Sequence, residues 1–335
     1  MRLRQYRYLT KSQLFYSGVT TVSIGNLQMG GGGKTPFALE LLERMTTKKI
    51  NFLYSTRAYK SKVESKGLIV TPNIDTPTPC GADIVGDEPA LILQRIKKGF
   101  FLLGKNRSYL IQELSKKFLK KNYFETLVLE DAFQHLAIDR DIDLLMIDTT
   151  CPVEQFKVFP VGALREPHSQ LWRADYIILN KTNQISSEKL KEWQKFINCS
   201  KKDSTLVAEI DYVCQTMCSL DDTHDKPISD FKNKNVVLFS AIANPKSFEL
   251  LMASAGLNIL AVHQLPDHSS FSSSKMSKML DYATQNDAFV ICTEKDAVKL
   301  KQNLNSDRIY YAKLELKLSS AGEGPWNWLL NCIQE

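Results

Sequence analysis

Residues 28–45, QMGGGGKTPFALELLERM, set four consecutive glycines before Lys34 and Thr35 and then open an amphipathic run. The β-branched stretch TTVSIGN, 20–26, stands immediately before them. A strand that passes through a glycine loop into a helix dictates both a layered α/β chain and a kind of ligand. Amides unobstructed by Cβ atoms converge on anionic oxygens, and the amino terminus of the helix adds partial positive charge. Gly30, Gly31, Gly32 and Gly33 therefore read as a phosphate cradle, with Lys34 on the β/γ oxygens and the Thr35 hydroxyl as a ligand of Mg²⁺. The strict P-loop pattern wants a glycine five residues before Gly33, where this chain has Gln28; the nearest earlier glycine is Gly25. A merely flexible loop would account for the glycines but not for the Lys-Thr pair at the start of the helix.

Apolar runs recur downstream at 50–57, 125–131, 141–148 and 175–181, and segments of helical period such as TPFALELLERM and DEPALILQRI lie between several of them. Continuous apolar strands joined by helices predict a P-loop NTPase-type, mostly parallel sheet sandwiched by helices. After the polar stretch DDTHDKPISDFKNKN a second series begins: strands VVLFSAI, LNILAVHQL, AFVICTEK and RIYYAKLEL, with helices PKSFELLMASAG and SSSKMSKMLDYATQN. The expected division is a P-loop core over 1–210 and a smaller C-terminal α/β domain over 211–335. A length of 335 residues accommodates both.

Composition narrows the partners. A net charge of +6 is mild for this length and no basic stripe interleaved with aromatics appears, so nucleic acid is not expected, whereas anionic small molecules or a membrane surface are. Seven scattered cysteines fit reduced thiols, and the one close pair, Cys214 and Cys218, lacks the further ligands of a zinc set. No apolar run reaches the ~18 residues of a membrane span. The amino-terminal arm, with Arg2, Arg4, Arg7 and Lys11 among tyrosines and leucines, reads equally as a surface that lies on an anionic bilayer and as a solvated tail.

A P-loop needs a carboxylate at the end of a neighbouring strand to support its metal, and TLVLEDAFQH supplies Glu130 and Asp131 after four β-type residues. Taken alone, acids at a strand end are common loop residues. The run ILNKTN, 178–183, approaches a guanine-reading motif, but Asn183 occupies the position where a carboxylate would accept two hydrogen bonds from the base. ATP is favoured on that ground.

Seven segments in order, VSIGNLQMGGGGKTP, TRAYKSK, VGDEPALI, EDAFQHLAIDRDIDLLMID, VFPVGALREP with RADYIILN, LPDHSSF and TEKDAVKL, resemble the tetraacyldisaccharide 4'-kinases from about Val22 to Lys299. That family phosphorylates the 4'-hydroxyl of the lipid A disaccharide precursor with ATP and Mg²⁺, and it too lacks the glycine at the Gln28 position. The resemblance implies that His268 is the base that deprotonates the sugar hydroxyl, oriented by Asp87, with a cleft between the domains. It further implies that Arg165 and Glu166 approach the phosphates or Mg²⁺, and that Arg57 and Tyr59 line a substrate pocket. Without the family, His268 reads as a loop histidine and Asp87 as a residue capping a helix. The acids of TEKDAVK read as fixing a loop.

Three departures from the family's habit stand out. Glu130-Asp131-Ala132 replaces Asp-Asp-Gly, which puts Ala132 under strain if that residue needs positive φ, and lengthens the first acid by one methylene. Arg57-Ala58-Tyr59-Lys60 replaces Arg-Gly-Tyr-Gly. The usual longer apolar amino-terminal segment is not seen before the first strand. The resulting expectation is a monomeric kinase acting peripherally at the cytoplasmic face of the inner membrane on an acylated disaccharide glycolipid. Its rivals are a P-loop ATPase or kinase of another substrate and a degenerate nucleotide-binding regulatory module.

Overall fold

The computed structural model describes residues 15, 17–71, 81–118, 124–221, 223–267, 269, 273–300, 307–319 and 324–334. The chain divides into two compact units: Met1–Cys80, Ile84–Asp211 and Lys317–Glu335 form the first, and Gly81–Asp83 with Tyr212–Leu316 form the second.

The first unit is built on β1 (Thr20–Asn26), β2 (Phe52–Thr56), β3 (Leu68–Val70), β4 (Phe100–Leu103), β5 (Thr126–Glu130), β6 (Ile142–Asp148), β7 (Tyr176–Asn180) and the start of β8 (Leu206–Ser219). They lie in the order β8-β7-β6-β1-β5-β2-β4-β3. Each neighbouring pair is parallel except β3 with β4. The chain leaves β1 toward β2 on one side and later crosses to β6 on the other, so the strand order reverses at β1. In parallel sheets that reversal opens a crevice at the carboxyl ends of the strands. Every residue of β5, β6 and β7 is buried, as continuous apolar runs demand of strands covered on both faces. Side chains alternate between two cores: Leu127 and Leu129 join Leu53, Leu102 and Ile111, whereas Leu145 and Ile147 join Phe156, Leu179 and Trp193.

The second unit carries β9 (Asp225–Pro227), β10 (Asn235–Ser240), β11 (Asn258–Gln264), β12 (Phe289–Thr293) and β13 (Ile309–Leu318). Strands β11, β10, β12 and β13 follow one another in parallel, and β9 runs antiparallel to β8. Read from sequence, AFVICTEK is a single strand; in the structure it stops at Thr293 and a helix, Glu294–Leu300, begins. The Thr293 hydroxyl accepts from the Asp296 amide at 3.2 Å and donates to the Asp296 carboxylate at 2.7 Å, a reciprocal cap that ends the strand. Asp296 also accepts from the Ala241 amide at 3.0 Å, so this acid of TEKDAVK ties down the chain after β10. Cys214 and Cys218 are free buried thiols, each pushed up to about 12, first of all by burial. Among the described residues no helix is long and apolar enough to cross a membrane.

The end of the chain departs from the expected 211–335 grouping, because Lys317–Glu335 belong with the first unit. The helix Gly324–Gln334 is amphipathic, and its Trp326 stacks on Phe37 of the helix Lys34–Thr47 at 4.7 Å between ring centroids. Arg44 of that same helix lies 4.8 Å from the Trp326 ring, and Trp328 packs on Tyr176 of β7 at 5.1 Å. Apolar runs separated by the whole second unit give no sequence-local sign of this return. Trp326 is 1% exposed, so Trp326→Ala is expected to destabilise the first unit by about 3–5 kcal/mol. Urea melts followed by circular dichroism check it, and a loss below about 1 kcal/mol would contradict the packing described.

Candidate active site

The glycine run ends as the sequence requires. Gly33 caps the helix with φ 76°, a left-handed conformation, and a Cβ on Gly32 would stand 2.5 Å from Asn26 Nδ2. The loop can thus follow the end of β1 only with bare backbone there, and the first-turn amides of the helix have no partners earlier in it. Gln28, the residue out of pattern, is 4% exposed. Its side chain donates to Asp148 O at 3.0 Å and accepts from Asp148 N at 2.8 Å, clipping the loop to the end of β6. Two such buried bonds contribute about 1 kcal/mol each. Asn180, at the end of β7, donates to Gly32 O at 2.7 Å.

Strand pairing delivers the acids. Ile24 of β1 lies opposite Glu130 of β5, which places Glu130 and Asp131 beside the start of the glycine loop. Lys34 Nζ donates to Asn26 Oδ1 at 3.0 Å and lies 3.2 Å from Asp131 Oδ1. Arg165 donates to both Asp131 oxygens, at 2.9 and 3.1 Å, and to Gln134 at 3.4 Å; Gln134 in turn donates to Asn26 O at 2.9 Å. A closed ring of five residues results: Asn26, Lys34, Asp131, Arg165 and Gln134.

The two acids are pushed in opposite directions. Burial alone would raise the Asp131 carboxyl, but Lys34 and Arg165 outweigh it and hold the group at about 2. Glu130 is raised, first by burial and then by Glu88, against the hydrogen bonds of Thr35 and Tyr54. Thr35 donates to Glu130 Oε1 at 2.6 Å and Tyr54 donates to Glu130 Oε2. The extra methylene of Glu130 is therefore taken up by two hydroxyl partners. The strain foreseen at Ala132 falls instead on Asp131, whose φ is 50°. Aspartate tolerates that region better than alanine, and Ala132 stays in ordinary backbone while donating to Ile24 O at 3.3 Å.

Arg57 and Tyr59 sit just past the end of β2, the neighbour of β5. The Arg57 guanidinium pairs with Glu64 at 2.7 Å and lies 5.1 Å from the Tyr59 ring, which is 51% exposed. Ala58 and Lys60 both hold positive φ, 54° and 59°, so the two positions that lost glycine kept the glycine conformation. Each costs about 1–2 kcal/mol relative to relaxed backbone. Asp87 is the first residue of the helix Asp87–Arg95 and is 9% exposed, with Gly86 as the cap. Glu166 is 2% exposed and pairs with Arg173 at 2.6 Å. His268 lies outside the described residues; in the second unit, Asp267 beside it is bound by Lys295 at 3.1 Å.

Five residues at the site escaped sequence reasoning. Asn26, Gln134 and Asn180 sit inside quoted motifs but reach their partners only through the fold. Tyr54 looks like any aromatic of a buried strand. Arg107 is the least expected: it is 3% exposed, donates to Glu130 O at 2.6 Å, and its Nη1 has no hydrogen-bond partner among the described residues. Burial lowers its pKa while Asp131 and Glu130 pull the other way. A cation opening a helix, against the helix dipole, was the one available signal.

Residues 1–334 match the tetraacyldisaccharide-1-P 4'-kinase family. The chain is 28% identical over 311 residues to a tetraacyldisaccharide 4'-kinase of Bdellovibrio bacteriovorus, covering 92% of this chain and 87% of the relative. It is also 28% identical over 308 residues to one of Anaeromyxobacter dehalogenans, covering 90% and 79%. The fold superposes with a TM-score of 0.71 on the "apo" form of LpxK from Aquifex aeolicus crystallised in complex with ATP, at 21% identity over 99% of this chain and 94% of that one. The protein belongs to the tetraacyldisaccharide-1-P 4'-kinase family.

Proposed function

We propose that the chain transfers the γ-phosphoryl group of ATP to the 4'-hydroxyl of the tetraacyldisaccharide 1-phosphate precursor of lipid A, as a peripheral enzyme at the cytoplasmic face of the inner membrane. Family membership supports the reaction, and one observation supports its placement: at the ends of β1 and β5, consecutive Lys34 and Thr35 meet consecutive acids, Lys34 lying 3.2 Å from Asp131 and Thr35 donating to Glu130 at 2.6 Å. Asn183, the position that would read guanine, is exposed and offers an amide where a carboxylate would accept two hydrogen bonds from the base, which favours ATP; its backbone N–H donates to Asp211 at 2.8 Å.

In this reading the glycine amides and Lys34 grip the β/γ oxygens, and Arg165 supplies further positive charge for the transferring group. Thr35, Glu130, Asp131 and Glu166 are the residues proposed to hold Mg²⁺. Thr35 and Asp131 fit it: Asp131 is fully ionised at neutral pH, Glu130 orients the Thr35 hydroxyl, and Mg²⁺ ordinarily takes only one or two protein carboxylates, whereas Glu166 is held by Arg173 at 2.6 Å. When bound, Mg²⁺ neutralises charge on the phosphate oxygens. Arg107, buried behind Glu130, keeps two adjacent carboxylates tolerable. Asp87 and His268 keep the roles that the resemblance implies, His268 as base and Asp87 as the support of its basicity, and Arg57 with Tyr59 forms the edge that meets substrate.

Lys34→Ala is expected to cut transfer from labelled ATP to the disaccharide by about 10²–10³-fold. His268→Ala is expected to cut it by about 10²–10⁴-fold while leaving the ATP-induced thermal shift intact. Unchanged turnover in either would sink the reading, and ATP hydrolysis without labelled lipid would point to another acceptor.

The ion cluster also carries a pH signature. Asp131 is held below its ordinary 3.8, so its contribution to stability is present above that value and lost as pH falls through about 2. Asp131 is partly exposed, which reduces the effect to about 1 kcal/mol after solvent screening. Urea melts of wild type and Asp131→Asn are expected to differ by that amount at pH 5 and to converge toward pH 2. A gap independent of pH would refute the assignment.

A further inference from the structure

Residues 157–161, Lys-Val-Phe-Pro-Val, are exposed one after another. Phe159 is 65% and Val161 78% exposed, with Val158 at 38% and Met29 of the glycine loop at 46%. A slack loop would fold such residues inward, and this one is prevented by its own hydrogen bonds. Phe159 N donates to Leu164 O at 3.0 Å, Leu164 N to Lys157 O at 2.9 Å, and the amides of Val161 and Gly162 both donate to Val158 O. The turn is rooted by Phe156 and Leu164, both buried, Phe156 lying 5.0 Å from the Trp193 ring. It is also strapped to the phosphate loop: Met29 N donates to Ala163 O at 2.7 Å and Arg165 N to Leu27 O at 2.7 Å. From Lys157 to Arg165 the segment carries two cations and no acid.

We infer that this turn is a bilayer-insertion wedge: Val158, Phe159, Pro160 and Val161 enter the headgroup–acyl boundary of an anionic phospholipid membrane, with Lys157 at the phosphate level. An aromatic and aliphatic tip with a lysine at its base is the chemistry that settles at a membrane interface. A protein partner is less well matched, because between Lys157 and Arg165 the turn offers no acid and no polar side chain other than its two cations to set register. The inference rests on the proposed function for its purpose, since an acylated substrate lies in the same bilayer and the strap to Met29 and Arg165 would hold the phosphate loop at its surface. Membrane binding itself is tested separately.

The experiment compares wild type with Phe159→Asp/Val161→Asp, both checked for equal thermal melting, by sedimentation with vesicles of phosphatidylethanolamine and phosphatidylglycerol. The double variant is expected to bind at least about ten-fold more weakly. A Phe159→Trp protein is expected to be quenched by vesicles with brominated acyl chains. Phosphorylation of disaccharide embedded in vesicles should fall in the double variant, while that of detergent-dispersed disaccharide stays at the wild-type level. Equal sedimentation with no quenching overturns the inference, as does a wild-type dimer that the substitutions dissolve. Wild-type binding to vesicles without turnover of either substrate form would instead refute the proposed function and leave the wedge standing.

Discussion

The pairing of β1 with β5 is the constraint on which the site depends. Parallel pairing from Thr20 opposite Thr126 to Ile24 opposite Glu130 brings a glycine loop and an acidic pair together at the carboxyl ends of two central strands. Slipping that ladder by one residue would turn every side chain of β5 to the other face. Glu130 would then leave Thr35 and Tyr54, and Lys34 would face no carboxylate. The register is protected by burial on both faces: Leu127 and Leu129 fill one core, and no residue of β5 reaches solvent. Apolar packing in the sheet thus fixes the distances on which the polar chemistry relies.

Within this frame, identical formal charges acquire different work. Asp131 meets two cations and is held ionised, whereas Glu130 is buried, faces Glu88 and is stabilised by hydroxyls. Separation of two adjacent carboxyl groups in this way is a usual means of giving them distinct roles. Arg107 joins the two environments from below, through the Glu130 carbonyl.

Elements whose cause is local were legible in the sequence. The strands of the first unit, the glycine loop and the helix it opens are specified by composition and period, and they appear within a few residues of where those signals place them. Gln28 looked like a defect because its partner, Asp148, is 120 residues away. Arg107 and Tyr54 were hidden for the same reason: their meaning arises from what lies behind Glu130. The conformation of the 57–60 turn was masked by substitution, since Ala58 and Lys60 hold backbone angles their side chains disfavour. Strand β12 was overextended because a capping pair, Thr293 with Asp296, reads locally like more strand.

The helix that carries Trp326 has a consequence for how the protein is made. The first unit includes residues from both sides of the second, so its last layer over the helix Lys34–Thr47 emerges from the ribosome only after the second unit has been made. Until then Phe37 lacks the cover of Trp326, and the nascent sheet waits through the translation of roughly a hundred intervening residues with apolar surface open to chaperones and to misassembly.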